Sequence, residues 1–215
     1  MNIELNKQLD KEVYLAFHDA VVGEADFGKK INENHPGITL GNYNKYIDDF
    51  YIENDGELEQ VRKDTEMCFN EIQQILFLEL QKYFSYDYSK KNYTCFLSIF
   101  NCNTRYLETK TFQVYYKRSH DMRKEVIAHE LTHFAFYDFC TTINAKDDGN
   151  LWELSEIFNV LFLNLPSLQE AIGAEELLFY PDLEGKLKDI KEVWKKQPKA
   201  EEFIITSMQY LRNLE

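Results

Sequence analysis

The sequence predicts an α+β fold, and three observations carry that expectation. Two runs rich in aromatic and β-branched residues, 93–100 and 111–116, read as strands. The stretch 58–84 before them repeats apolar residues at helical spacing. The stretches 121–138 and 151–165 after them are strongly apolar and long enough for helices. Together they describe a small mixed sheet, a long supporting helix, a helix bearing a polar triplet, and a mostly helical C-terminal lobe. We expect a single domain, 1–215, with an N-terminal lobe of about 1–140 and a C-terminal lobe of about 141–215.

Composition supports a packed core. Hydrophobic residues make up 44% of the chain and aromatics 15%, so disorder is not expected. A net charge of -13 argues against nucleic acid or an anionic membrane as the main partner. The start, Met1-Asn2-Ile3-Glu4-Leu5-Asn6-Lys7, lacks the basic and then apolar pattern of a signal peptide. No apolar run reaches the roughly 18 residues that a membrane-spanning helix needs. The expected location is therefore cytoplasmic. Cys68, Cys95, Cys102 and Cys140 form no CxxC pair and read as reduced, mostly buried thiols.

Taken in order, residues 1–22 hold one apolar run, Val13 to Phe17, whose periodicity fits a strand or a short helix equally well. From Gly23 to Gly56 the chain is polar and broken by His35-Pro36-Gly37 and Asn54-Asp55-Gly56, which predicts loops and short elements. Leu58, Val61, Thr65, Cys68 or Phe69, Ile72, Ile75 or Leu76, Leu80 and Tyr83 then recur at the spacing of a long amphipathic helix. Asn101 to Thr104 reads as a turn between the two strands. In the second strand Phe112, Val114 and Tyr116 alternate with Thr111, Gln113 and Tyr115. An unpaired edge there would accept an extended peptide by backbone hydrogen bonds.

The helix 121–138, with Asp121 as its expected N-cap, contains His129-Glu130-Leu131-Thr132-His133. Residues four apart on a helix lie about 6 Å along the axis and about 40° around it. His129 and His133 can therefore point at one ion, with Glu130 beside them as a general base that is not itself a ligand. Apolar Val126, Ile127, Leu131, Phe134, Ala135 and Phe136 surround the triplet, and a buried His-Glu-His group without a partner is costly. Zinc is the partner that fits. A polar loop, 141–150, leads to the helix from Leu151, which is apolar almost all round and stops at Pro166. Glu153 and Glu156 within it call for cations or donors. Residues 167–215 read as two or three further helices packed through Trp194, Phe203, Ile204, Met208 and Leu211.

Catalytic zinc takes three protein ligands and a water. A metzincin would need a glycine at 136 and a histidine at 139, where this chain has Phe136 and Phe139. His18, His35 and His120 do not lie where a following helix would bring them. With His129-Glu130-x-x-His133 and a glutamate on the next helix, residues 111–165 resemble the gluzincins, a group of zincin-fold zinc peptidases. The resemblance implies a zincin-like fold with zinc between the lobes. It also implies a Zn2+ cofactor, peptide or protein substrates, and hydrolysis with Glu130 as base. The third ligand it implies is Glu156, which sits in Trp152-x-x-Ser155-Glu156-x-Phe158. Glu153, twenty residues after His133, is the alternative ligand; whichever does not ligate would accept a histidine N–H. Gluzincins also commonly supply a Tyr or His to stabilise the oxyanion; Tyr180 and Tyr210 lie in the right half of the chain, nothing in the sequence selects between them, and that role stays unassigned. The acidic chain would steer in neutral or basic peptides. Two other classes stay open: a zincin-like scaffold that binds zinc or a protein without turnover, and a helical interaction protein with no metal.

Overall fold

The computed structural model describes residues 1–22, 25–145, 149–178, 180–196 and 199–214. It shows a mixed α+β chain in two compact units, Met1–Phe69 with Asn92–Arg123 and Asn70–Lys91 with Lys124–Glu215. No helix among the described residues is long and apolar enough to cross a membrane. The expected loop at 141–150 falls partly on 146–148, outside the described residues.

The first unit is built on a four-stranded sheet. β1 (Asn2–Leu5) is followed by α1 (Lys7–Phe17), β2 (Val21–Val22), β3 (Ala25–Asp26), α2 (Phe27–Asn34) and α3 (Tyr43–Glu53). Then come α4 (Asp55–Phe84), β4 (Thr94–Ser98), β5 (Arg105–Tyr106) and β6 (Thr111–Tyr115). The sheet order is β1-β4-β6-β5, and β2 and β3 form a separate two-stranded ribbon. The ambiguous run 13–17 is helical. Asn6 settles it by capping α1, its side chain accepting Leu9 N–H at 3.0 Å. α2 starts the same way, with Asp26 accepting Lys29 N–H at 2.8 Å. Gly28 is required there, because a Cβ would come within 2.4 Å of the His18 carbonyl oxygen.

Two strand expectations change. β4 and β6 pair in parallel, Thr94 opposite Thr111 through Ser98 opposite Tyr115, and the expected turn, seen at Asn101 and Cys102, does not lead straight into β6. The chain passes first through β5, which runs antiparallel to β6. Arg105 and Tyr106 pair with Phe112 and Thr111, and Gln113 N–H donates to Thr104 O at 2.9 Å. The edge of β6 over 111–113 is thus covered rather than open to a peptide. β6 is also buried on both faces, including Gln113, whose amide oxygen accepts the Thr104 hydroxyl at 2.5 Å.

The core of this unit joins Val13 and Tyr14 of α1, Ile31 of α2 and Ile47 of α3 to Leu58 of α4 and to Ile99, Phe100 and Tyr116. It also encloses polar groups, each provided with partners. The Asp10 carboxylate accepts the Ser98 hydroxyl at 2.5 Å, the Tyr51 hydroxyl at 2.7 Å and Ile99 N–H at 3.1 Å. Burial nevertheless pushes its pKa up to about 6, because the donors only partly replace water around the charge. The His35 ring donates from Nε2 to Ile99 O at 2.7 Å, and burial holds its pKa below the ordinary value.

The second unit contains the end of α4, most of α5 (His120–Thr142), α6 (Asn150–Leu163), α7 (Pro166–Ile172), α8 (Glu184–Trp194) and α9 (Ala200–Arg212). Pro166 opens α7 at its first turn, where no N–H is needed. Phe158 is fully buried, with the rings of Tyr83, Phe84, Phe136, Phe162, Trp194 and Phe203 all within 6.0 Å centroid to centroid. Phe203, Ile204, Met208 and Leu211 of α9 are buried, as their spacing predicts. The four cysteines are buried free thiols.

Candidate metal centre

α5 owes its position to its apolar surface. Residues 127–136 are all buried, so the helix runs through packed core and carries its polar triplet with it. It begins two residues earlier than an N-cap at Asp121 would place it. Ser119 does the capping, its hydroxyl accepting Met122 N–H at 3.3 Å, and Asp121 lies in the first turn.

His129 and His133 stand one turn apart on α5, and their Nε2 atoms are 2.9 Å from each other. The two rings are nearly perpendicular, at 83°. Two ring nitrogens this close need a proton or a cation between them. α6 brings in the third group. Glu156 is 2% exposed, with Oε1 at 3.2 Å from His133 Nε2 and Oε2 at 3.4 Å from His129 Nε2. These residues can hold a metal ion together. The separations fit one: with metal–ligand bonds of about 2.0–2.1 Å, ligands around a tetrahedral zinc lie about 3.3 Å apart. Nitrogen, nitrogen and carboxylate oxygen is also a set that zinc accepts.

Glu130 follows His129 on the same helix and is 4% exposed. Glu153, one turn before Glu156 on α6, goes elsewhere: its carboxylate accepts Lys186 Nζ at 2.5 Å. The other expectation for Glu153, an acceptor for a histidine N–H, gives way to this lysine. The remaining histidines also have other partners: Leu15 O for His18, Ile99 O for His35, and Asp64 and Cys68 for His120.

Three contacts around the centre were not foreseen from the sequence. Asn159 is fully buried, and its Nδ2 donates to the His129 carbonyl at 3.3 Å, tying α6 to the helix that carries the histidines. It lies one turn after Glu156, and an asparagine between Phe158 and Val160 in a run of apolar residues was the available signal. Tyr137 stacks near His133 at 6.2 Å and shares a hydrogen bond with Ser155 at 3.1 Å. Glu156 also borders a small cavity lined by Ile157, Val160, Leu178, Tyr180, Leu183 and Leu187. Tyr180 therefore lies on the Glu156 side of this unit, whereas the Tyr210 hydroxyl is engaged by Asp189.

Such a centre could fix an ion, and an ion held there would polarise a carbonyl. No model of a known protein family matches the chain, and no curated protein or solved structure matches it either.

Proposed function

We propose that the chain is a zincin-like zinc peptidase that hydrolyses peptide bonds in peptide or protein substrates. The observation that carries this reading is the convergence of His129 Nε2, His133 Nε2 and the Glu156 carboxylate, with Glu130 on the same helix as the histidines. His129, His133 and Glu156 would hold the ion, and the burial of all three keeps bulk water from competing for them. Zinc at this place supplies Lewis acidity, lowering the pKa of water to about 7 and polarising the scissile carbonyl.

The remaining chemistry belongs to the chain. The Glu130 carboxylate takes a proton from the attacking water as its oxygen bonds to the carbonyl carbon. Glu130 then returns that proton to the leaving amine nitrogen as the C–N bond breaks. Glu156 and the two imidazoles stay in place throughout. Asn159 holds the backbone of His129, so the ligand spacing survives thermal motion of α6. The net charge of -13 favours the approach of neutral or basic peptides over acidic ones.

The test is cleavage of an unstructured peptide library by zinc-loaded protein, compared with Glu130→Gln. Wild type should cut, and the variant should bind zinc but lose at least about 10²-fold in rate. Undiminished cleavage by the variant would remove Glu130 from the mechanism. Zinc bound by wild type without cleavage of any peptide would favour a binding scaffold instead.

A further inference from the structure

We propose that Asp64, Cys68 and His120 form a second metal site, selective for a zinc-class ion and contained within the first unit. Asp64 and Cys68 are four apart on α4 and so share a face, and His120 is the first residue of α5. His120 Nδ1 lies 3.0 Å from Asp64 Oδ1 and 3.3 Å from Cys68 Sγ. One donor atom from each of the three residues lies within 4.8 Å of the other two. Around a tetrahedral zinc, with a Zn–S bond of about 2.3 Å, the nitrogen–oxygen separation is about 3.3 Å and the nitrogen–sulfur separation about 3.6 Å. The observed distances are a few tenths of an ångström shorter, within the reach of small rotamer adjustments.

The surroundings suit the assignment. Arg123 is locked by Tyr116 O at 3.1 Å and donates to Asp64 Oδ2, which leaves Oδ1 turned to His120. A ligating carboxylate is commonly oriented by such an outer hydrogen bond. The guanidinium adds a positive charge nearby, and the two negative ligands, carboxylate and thiolate, together match the charge of a divalent ion. Sulfur and imidazole nitrogen select zinc-class ions over magnesium or calcium. The side chains of Asp64 and His120 are 30% and 34% exposed, so solvent reaches one side, while Cys68 is fully buried. Three protein ligands and a solvent-reached side describe an exchangeable site rather than a closed structural one. Without an ion, the Cys68 thiol donates to His120 O at 3.4 Å; metal binding would release that proton to solvent.

Cobalt(II) in place of zinc separates this site from the centre at His129, because only this one contains sulfur. Cobalt-loaded wild type should show a near-ultraviolet sulfur-to-cobalt charge-transfer band and bind about two ions per chain. His129→Ala should fall to about one ion and keep the band. Cys68→Ser should lose the band and one ion. His120→Gln, at a part-exposed position that burdens folding less, should weaken cobalt binding by at least about 10-fold at this site. Absence of the band in cobalt-loaded wild type, or its persistence in folded Cys68→Ser, would overturn the site and leave a hydrogen-bonded Asp64–His120–Cys68 cluster.

Discussion

Glu153 and Glu156 lie three residues apart on α6 and take opposite partners. Glu156 is buried against His129 and His133, whereas Glu153 reaches outward to Lys186. Three residues advance a helix by about 4.5 Å and leave the two side chains about 60° apart, enough to send one inward and the other to the surface.

Metal content should follow that division. Glu156→Ala should lose the ion held with His129 and His133, and Glu153→Ala should retain it. The Glu153–Lys186 pair is partly exposed, so breaking it should cost no more than about 1 kcal/mol. Elemental analysis of the two variants beside wild type checks this. Retention of the same zinc in both, or its loss in Glu153→Ala alone, would reject Glu156 as ligand.

Asn159 should matter for stability without touching the ion. Asn159→Leu keeps the branched heavy-atom skeleton but removes the side-chain donor to the His129 carbonyl. The expected loss is about 1–3 kcal/mol in urea unfolding, with weaker zinc retention as the hold on α5 loosens. An unchanged unfolding midpoint would mean that the 3.3 Å contact contributes nothing.

Asp10 should make stability depend on pH in a stated direction. Its folded pKa of about 6 lies above the ordinary 3.8, so the folded state holds the proton more tightly than the unfolded state. The contribution is fully present below pH 3.8 and is lost as pH rises through about 6. The loss amounts to about 3 kcal/mol. The stability difference between wild type and Asp10→Asn should therefore fall between pH 4 and pH 7. Chemical denaturation at several pH values would show it, and a flat difference would mean that the three donors hold the charged form as well as water does.

Much of the architecture was legible because it is local. The apolar repeat from Leu58 to Tyr83 is the buried stripe of α4: Leu58, Thr65, Cys68, Phe69, Ile72, Leu76 and Leu80 are buried, and Val61, Ile75 and Tyr83 are half-buried. The aromatic run of α6 and its end before Pro166 were also readable, since helix spacing and proline act within a few residues. β1 was missed, because four residues alternate too briefly to stand out. The parallel pairing of β4 with β6 was missed as well; strand partners are chosen across the chain, not along it.

For the candidate site the division is similar. By itself, the sequence determined that His129 and His133 share a helix face, that Glu130 sits beside them, and that two carboxylates lie in an apolar helix downstream. All of that follows from 3.6 residues per turn and from side-chain chemistry. Only the tertiary structure decided that Glu156 reaches the histidines while Lys186 takes Glu153, that Asn159 grips the His129 carbonyl, and that Asp64, Cys68 and His120 meet. Those outcomes depend on how helices rotate about their axes as cores pack, a choice made by many contacts together and written in no single stretch of the chain.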